Sequence, residues 1–176
     1  KTIIISMDNF YKGLKSFTKE EKELFDKNEL DLDKPSVIDF PSLTKLIKNL
    51  KNNVASSMPI YERMAYDVTS EIILNEKFDI IIVEGIFILN NKELKDLLDI
   101  TIFIDISNED RLERRLCRYK ESQLKEQTEY YNNFVVQAYE KYILPQKDEV
   151  DFIVDGNADF ISTLKYKLVN KVFNSI

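Results

Sequence analysis

At 176 residues the chain suits one domain with a real hydrophobic core, and 44% hydrophobic against 32% charged residues describes neither a disordered nor a membrane-spanning protein. A net charge of −6 excludes general affinity for nucleic acid or anionic membrane, so a bound anion needs a local cluster of Arg or Lys. With no His and a single Cys117, His-dependent triads, His-liganded zinc and an intrachain disulfide are excluded, and acid–base chemistry falls to Asp, Glu, Lys or Tyr.

The apolar run Ile3-Ile4-Ile5 is too short for a helix and ends in Ser6-Met7-Asp8-Asn9-Phe10-Tyr11. That is the pattern of a buried parallel strand whose carboxyl end lines a ligand crevice. The chain enters this strand at once, with no initiating Met, so the native N-terminus is expected upstream. Thr18-Lys19-Glu20-Glu21 is a capping box opening a short helix with Leu24 and Phe25. Residues 28–38 read as a loop, and Pro41 opens an amphipathic helix with Leu43, Leu46, Ile47 and Leu50 on one face. Pro59-Ile60-Tyr61 and Glu71-Ile72-Ile73-Leu74 read as two arms of a hairpin.

Residues 80–83 repeat the strand pattern before Glu84-Gly85, and residues 100–104 repeat it before Asp105, with a brief helix over 93–98 between them. Three buried strands are thus expected to deliver carboxylates to one edge of one sheet. Ser107 caps a helix with Glu109 and Asp110 in its first turn. Arg111, Arg115 and Arg118 fall within about 60° of each other on it, beside an apolar face of Leu112, Leu116 and Tyr119. Cys117 lies off that stripe and reads as a small packing residue. A longer helix over 128–144 ends at Pro145, and residues 152–154 form a last strand. Asp155-Gly156-Asn157 then turns into a closing helix with Ile161, Leu164, Leu168 and Val172. The expected fold is one α/β domain with a parallel sheet flanked by helices and a small β-hairpin insertion.

Each candidate site residue has two readings. Asp8 and Glu84 can accept a hydroxyl proton or orient the waters of Mg²⁺, or simply cap a backbone N–H at a strand end. The arginine stripe is a phosphate clamp or a solvated basic face. Asp33, near Pro35, can take two hydrogen bonds from a vicinal diol or serve its loop, whereas Asp39 suits the cap of the helix at Pro41. Tyr61 and Tyr66 can stack on a base or pack as ordinary aromatics.

Taken together these segments resemble the uridine–cytidine kinases of the phosphoribulokinase/uridine kinase family, within the P-loop kinases. Ser6-Met7-Asp8-Asn9-Phe10-Tyr11 is similar to the segment with the catalytic Asp, and Leu32-Asp33-Lys34-Pro35-Ser36-Val37-Ile38-Asp39 to the one whose first Asp binds ribose hydroxyls. Pro59-Ile60-Tyr61 resembles the hairpin segment bordering the base, and Val83-Glu84-Gly85-Ile86 the segment whose Glu helps hold Mg²⁺. Arg111-Leu112-Glu113-Arg114-Arg115-Leu116-Cys117-Arg118 resembles a helix in which the positions of Arg115 and Arg118 face substrate and phosphates. Gly156-Asn157-Ala158-Asp159 is similar to the loop near the adenine.

The resemblance implies an ATP- and Mg²⁺-dependent nucleoside kinase fold over residues 1–176, its N-terminal strand and Walker A loop lying outside the sequence. Asp8, Arg115 and Arg118 are implied as catalytic. Tyr11, Asp33, Tyr61 and Tyr66 are implied to bind the acceptor, Glu84 with Asp8 to hold the metal, and Asn157 and Asp159 to border ATP. The implied partners are a nucleoside and ATP, with no nucleic acid and no membrane. The setting expected is cytoplasmic, and a homo-oligomer is compatible with it. The departures keep other acceptors open: a sugar phosphate, pantothenate, nicotinamide riboside, or binding without transfer. No G-x-x-x-x-G-K-[ST] loop and no E-R-G-R lid occur in the sequence. Tyr66 stands where uridine kinases place a base-reading His, and Tyr130 where they place a Gln.

Overall fold

The computed structural model describes residues 1–27 and 30–157. It forms two compact units, Lys1–Leu98 and Asp99–Ile176. In the first, β1 (Thr2–Ser6) is a run of three isoleucines, stiff at χ1 and suited to a pleated surface. The capping box predicted at Thr18 forms in full and opens α1 (Lys19–Asp26). Asp39 caps α2 (Phe40–Lys51), accepting from Ser42 N at 3.1 Å and Ser42 Oγ at 2.7 Å. The predicted apolar face of α2 carries the core of this unit: Phe40, Leu43, Leu46, Ile47 and Leu50 are all buried. Full burial of each such side chain contributes roughly 1.5–3 kcal/mol.

The hairpin is longer than its predicted arms, with β2 (Ser56–Glu62) antiparallel to β3 (Asp67–Leu74). A register shift between Ile60 and Tyr61 turns the strand just where Tyr61 projects. β4 (Ile80–Glu84) pairs parallel with β1, from Thr2 opposite Ile80 to Ser6 opposite Glu84. Asn91 then caps α3 (Lys92–Lys95), a single turn in place of the predicted residues 93–98.

In the second unit β5 (Ile102–Asp105) pairs parallel with β6 (Phe152–Asp155). Between them lies α4 (Asn108–Leu116), capped by Ser107 as predicted. A continuous helical run over residues 124–143 follows, with π turns at Tyr131–Val135 and Tyr139–Ile143. It starts earlier than the predicted residue 128, and its α and π turns give way to a 3₁₀ segment, Leu144–Glu149, that contains Pro145. The π turns alter which side chains share a face. Tyr131 and Tyr139 are eight residues apart, about 80° beyond two whole turns of an α-helix. Turns holding more residues reduce that offset.

The fold is α/β with parallel strands flanked by helices, but the strands do not share one ladder. Among the described residues they form three two-stranded sheets, β1–β4, β2–β3 and β5–β6. The expectation of a single sheet rested on reading the strands as buried on both faces. Instead the described residues cover one face of β1–β4: Ile5 is fully buried, whereas Ile4 is 63% exposed and Ile80 and Ile82 are exposed beside it. In β5–β6, Ile102, Ile104 and Ile153 are likewise exposed, while Phe103 and Val154 are buried. The closing helix predicted from Ile161, Leu164, Leu168 and Val172 lies outside the described residues.

Candidate active site

Two carboxylates meet at the carboxyl ends of β1 and β4. Ser6 and Glu84 are the last pair in register, and the Ser6 hydroxyl then caps a 3₁₀ turn, Met7–Phe10, accepting Asp8 N–H at 3.3 Å. Asp8 therefore leaves the strand end in a tight turn beside Glu84. Its carboxyl faces solvent at one edge, yet partial burial raises its pKa above the ordinary carboxylate value; the Glu84 charge raises it further and Arg63 opposes both. Gly85 makes this arrangement possible. Its φ is +156°, and a Cβ there would lie 2.5 Å from Met7 Cβ.

Tyr11 ends the turn and its backbone bridges Ile38. Lys12 N–H donates to Val37 O and Asp39 N–H to Phe10 O, both at 2.8 Å, which draws the Asp33–Pro35 loop toward the strand ends. The Tyr11 ring lies 5.6 Å from the Tyr61 ring, tilted by 38°. Burial first, and then the charges of Asp8 and Asp33, push the Tyr11 phenol well above its usual range, so it remains protonated and able to donate. Tyr61 is also raised, by burial and then by Tyr66 and Asp67. Its backbone N–H donates to Asn9 Oδ1 at 3.3 Å, pinning the end of β2 to the turn that holds Asp8. Asp33 is half-buried, its N–H received by Asp31 Oδ1 at 2.9 Å.

Of the acceptor residues expected from the sequence, Tyr11 and Tyr61 meet beside Asp8, and Asp33 lies near enough for its charge to act on Tyr11. Tyr66 is near enough for its charge to act on Tyr61, and its ring packs on a further neighbour. It sits at φ +49°, with its carbonyl accepting Leu14 N–H at 2.9 Å and its ring edge-on to Phe25 at 4.8 Å. Asn9 and Arg63 belong to this cluster and went unremarked in the sequence. Asn9 stood within a segment read for its acid, and Arg63 lies in a hairpin turn, where periodicity carries no signal.

In the second unit, three arginines of α4 and its end are placed differently. Arg114 Nη2 donates to Gly156 O at 3.1 Å and Asn157 Oδ1 at 2.7 Å, so this residue ties α4 to the loop after β6. Asn157 Nδ2 in turn donates to Asp110 Oδ2 at 2.7 Å, engaging both ends of that amide. Arg115 Nη2 donates to Gln127 Oε1 at 3.3 Å, and Arg118 is exposed just past the helix end. Asp105 pairs with Lys147 at 2.5 Å, so the third strand-end acid has its own cation. Cys117 is exposed and lines a groove with Leu112, Leu116 and Leu124; the packing role expected for it fails because no described residue covers that face. Asp159 lies outside the described residues.

Asp8 and Glu84 fit a Mg²⁺ ion of the kind held by one or two carboxylates together with substrate phosphates, since a shared cation would relieve the repulsion that raises Asp8. Among the described residues there is no cluster of three or more His, Cys, Asp or Glu side chains. No described helix is long and apolar enough to cross a membrane.

The chain is 34% identical over 165 residues to uridine-cytidine kinase A of Dictyostelium discoideum, covering 90% of this chain and 31% of that protein. It is 31% identical over 177 residues to a uridine kinase of Staphylococcus haemolyticus (strain JCSC1435), covering 96% and 83%. The chain thus spans about a third of the length of the first of these relatives and most of the second. Among solved structures, phosphoribulokinase from Rhodobacter spheroides superposes with a TM-score of 0.63 at 15% identity, over 92% of this chain and 64% of that one, a likeness of fold. The family model for phosphoribulokinase / uridine kinase matches residues 1–159, a stretch that includes the strand-end acids, the hairpin and the arginine helix, and the chain belongs to that family.

Proposed function

We propose that this chain is the acceptor- and phosphate-binding part of an ATP-dependent kinase that phosphorylates the 5′-hydroxyl of a uridine- or cytidine-like nucleoside. The observation that carries the reading is the pairing of Asp8 with Glu84 at the ends of adjacent parallel strands, beside the Tyr11–Tyr61 ring pair. Asp8 orients the acceptor hydroxyl and takes its proton late in a loose transfer. Asp33 receives the ribose hydroxyls, and Tyr11 and Tyr61 flank the base, with Tyr66 at the hairpin turn. Arg115 and Arg118 offset charge on the transferring group. Asn157 and Asp159 border the nucleotide base. Asp8 and Glu84 would hold Mg²⁺, which supplies charge neutralisation to the phosphates when bound.

The ladders β1–β4 and β5–β6, each of two strands among the described residues, support a further part of the proposal, that the native protein supplies another strand carrying a Walker A loop, with its following helix against an open isoleucine face. A cytoplasmic setting belongs to the same reading. Tyr66, packed on Phe25, favours a second acceptor class on the same fold, such as a sugar phosphate, pantothenate or nicotinamide riboside. Transfer from ATP by the intact gene product, assayed against uridine, cytidine and those acceptors, separates the two. Preference for a pyrimidine nucleoside supports the first, and transfer only to the others replaces it.

A further inference from the structure

The Asn157 amide is held between two side chains that fix which way round it points. Arg114 Nη2 donates to its Oδ1 at 2.7 Å, and its Nδ2 donates to Asp110 Oδ2 at 2.7 Å. A guanidinium only donates, and an ionised carboxylate only accepts. The hydrogen bonds from Ser107 and then Asn157 hold the Asp110 carboxyl below its usual pKa, so it is ionised at neutral pH. Turning the amide over would set its N–H groups against Arg114 and its oxygen against the Asp110 charge. Two residues one turn apart on α4 thus assign the two ends of one amide.

The backbone beneath that amide is also held. Gly156 N–H donates to Asp105 O at 2.7 Å, Gly156 O accepts from Arg114 at 3.1 Å, and Asn157 N–H donates to Asp155 Oδ1 at 2.8 Å. A Cβ on Gly156 would lie 2.9 Å from Ile104 Cγ2, so the loop is pressed against β5. Asn157 lines a cleft of about 460 Å³ with Asp105, Ile106, Ser107, Ile153 and Asp155, a volume ordinary for a ligand pocket. An amide carries two N–H groups and two oxygen lone pairs, and α4 takes one of each. One acceptor site and one N–H remain, at places that cannot be exchanged.

We propose that Asp110 and Arg114 are positioning residues that lock the Asn157 amide and so make this loop select one purine base over the other in the phosphate donor. This deepens the kinase reading, on which it rests for placing the nucleotide base beside Asn157. Adenine carries an amino donor at the position where guanine carries a carbonyl acceptor. An amide able to turn over serves either base, whereas a locked one satisfies the first and leaves the second unpaired or repelled. With ATP as the phosphate donor, the base it satisfies is adenine.

The test is calorimetric titration of the intact gene product with ATP and with GTP, Mg²⁺ present and acceptor absent. The parent should bind ATP about tenfold or more tighter than GTP, the worth of one matched against one unmatched hydrogen bond. Asp110→Ala should raise GTP affinity severalfold while ATP affinity stays within about threefold of the parent. The double change Asp110→Ala with Arg114→Ala should bring the two nucleotides within about twofold of each other, whereas Arg114→Lys, which still only donates, should keep the parent ratio. A merely loosened loop would weaken both nucleotides alike, so equal losses in Asp110→Ala overturn the proposal. A parent that binds ATP and GTP equally overturns it too, as does a double variant with parental selectivity. If the double variant does not fold, an unchanged ratio in both Asp110→Ala and Arg114→Ala overturns it. The expected pattern in a gene product that transfers no phosphoryl group to any acceptor refutes the kinase reading and leaves the lock standing. Transfer that proceeds with ATP and GTP bound equally does the reverse.

Discussion

Gly85 is where fold and site meet, and Gly85→Ala tests whether the Asp8–Glu84 pair is set by backbone geometry. The new Cβ would sit 2.5 Å from Met7 Cβ and 3.0 Å from Met7 Sδ, and Met7 is fully buried, so it has nowhere to retreat. The φ of +156° adds backbone strain of about 1–3 kcal/mol. An overpacked methyl adds a similar amount. A total near 3 kcal/mol corresponds to a fall in Tm of about 6–12 °C for a chain of this size. Thermal unfolding followed by circular dichroism measures it. Gly156→Ala is the control, because its Cβ meets chiefly the Ile104 side chain at 2.9 Å, and it should lose clearly less. A Tm for Gly85→Ala within about 2 °C of the parent would show that the turn adapts and that Gly85 does not fix the pair.

In the intact enzyme the acid limb of kcat/KM should lie above the ordinary Asp value, because burial and Glu84 raise Asp8 and the base works only when ionised. Glu84→Gln removes one cause and should move that limb to lower pH, read from a pH–rate profile; no shift would detach Glu84 from Asp8. The native state binds the Asp8 proton more tightly than the unfolded chain, so raising pH through the raised pKa costs stability at this residue, and Asp8→Asn should unfold at a Tm no lower than the parent at neutral pH. Arg115→Ala and Arg118→Ala should each lower transfer more than about tenfold, whereas Arg114→Ala, tied to Gly156 and Asn157, should act mainly on stability. Equal small effects on transfer at all three would favour a solvated face. Leu43→Ala, at a fully buried position of α2, should cost about 2–5 kcal/mol in denaturant unfolding, and a loss below 1 kcal/mol would show that the core collapses around it.

Much of this was legible in the sequence because local chemistry decided it. Thr18, Asp39 and Ser107 were readable as caps, since a short oxygen-bearing side chain before an apolar period has few other uses. The strand-end acids were readable because an apolar run that stops at a carboxylate marks the strand's last buried position. The number of ladders was not readable. Ile4, Ile80 and Ile104 look the same in sequence whether a neighbour covers them or solvent does. Nor were the π turns, which decide that Tyr139 meets Arg111, because nothing in the sequence foretold where a helix would widen. The left-handed backbone of Tyr66 and the packing of its ring on Phe25 were not legible either, because both are tertiary effects.

The most direct test of the central claim is single-turnover transfer from ATP to uridine or cytidine by the intact gene product, compared with its Asp8→Asn form. Asparagine keeps the shape and a hydrogen-bond acceptor beside Glu84 but removes the charge that takes the proton. The account predicts ATP binding within a few fold of the parent and a transfer rate lower by roughly 10² or more. A near-normal rate would take Asp8 out of the chemistry and leave it a turn residue at the end of β1.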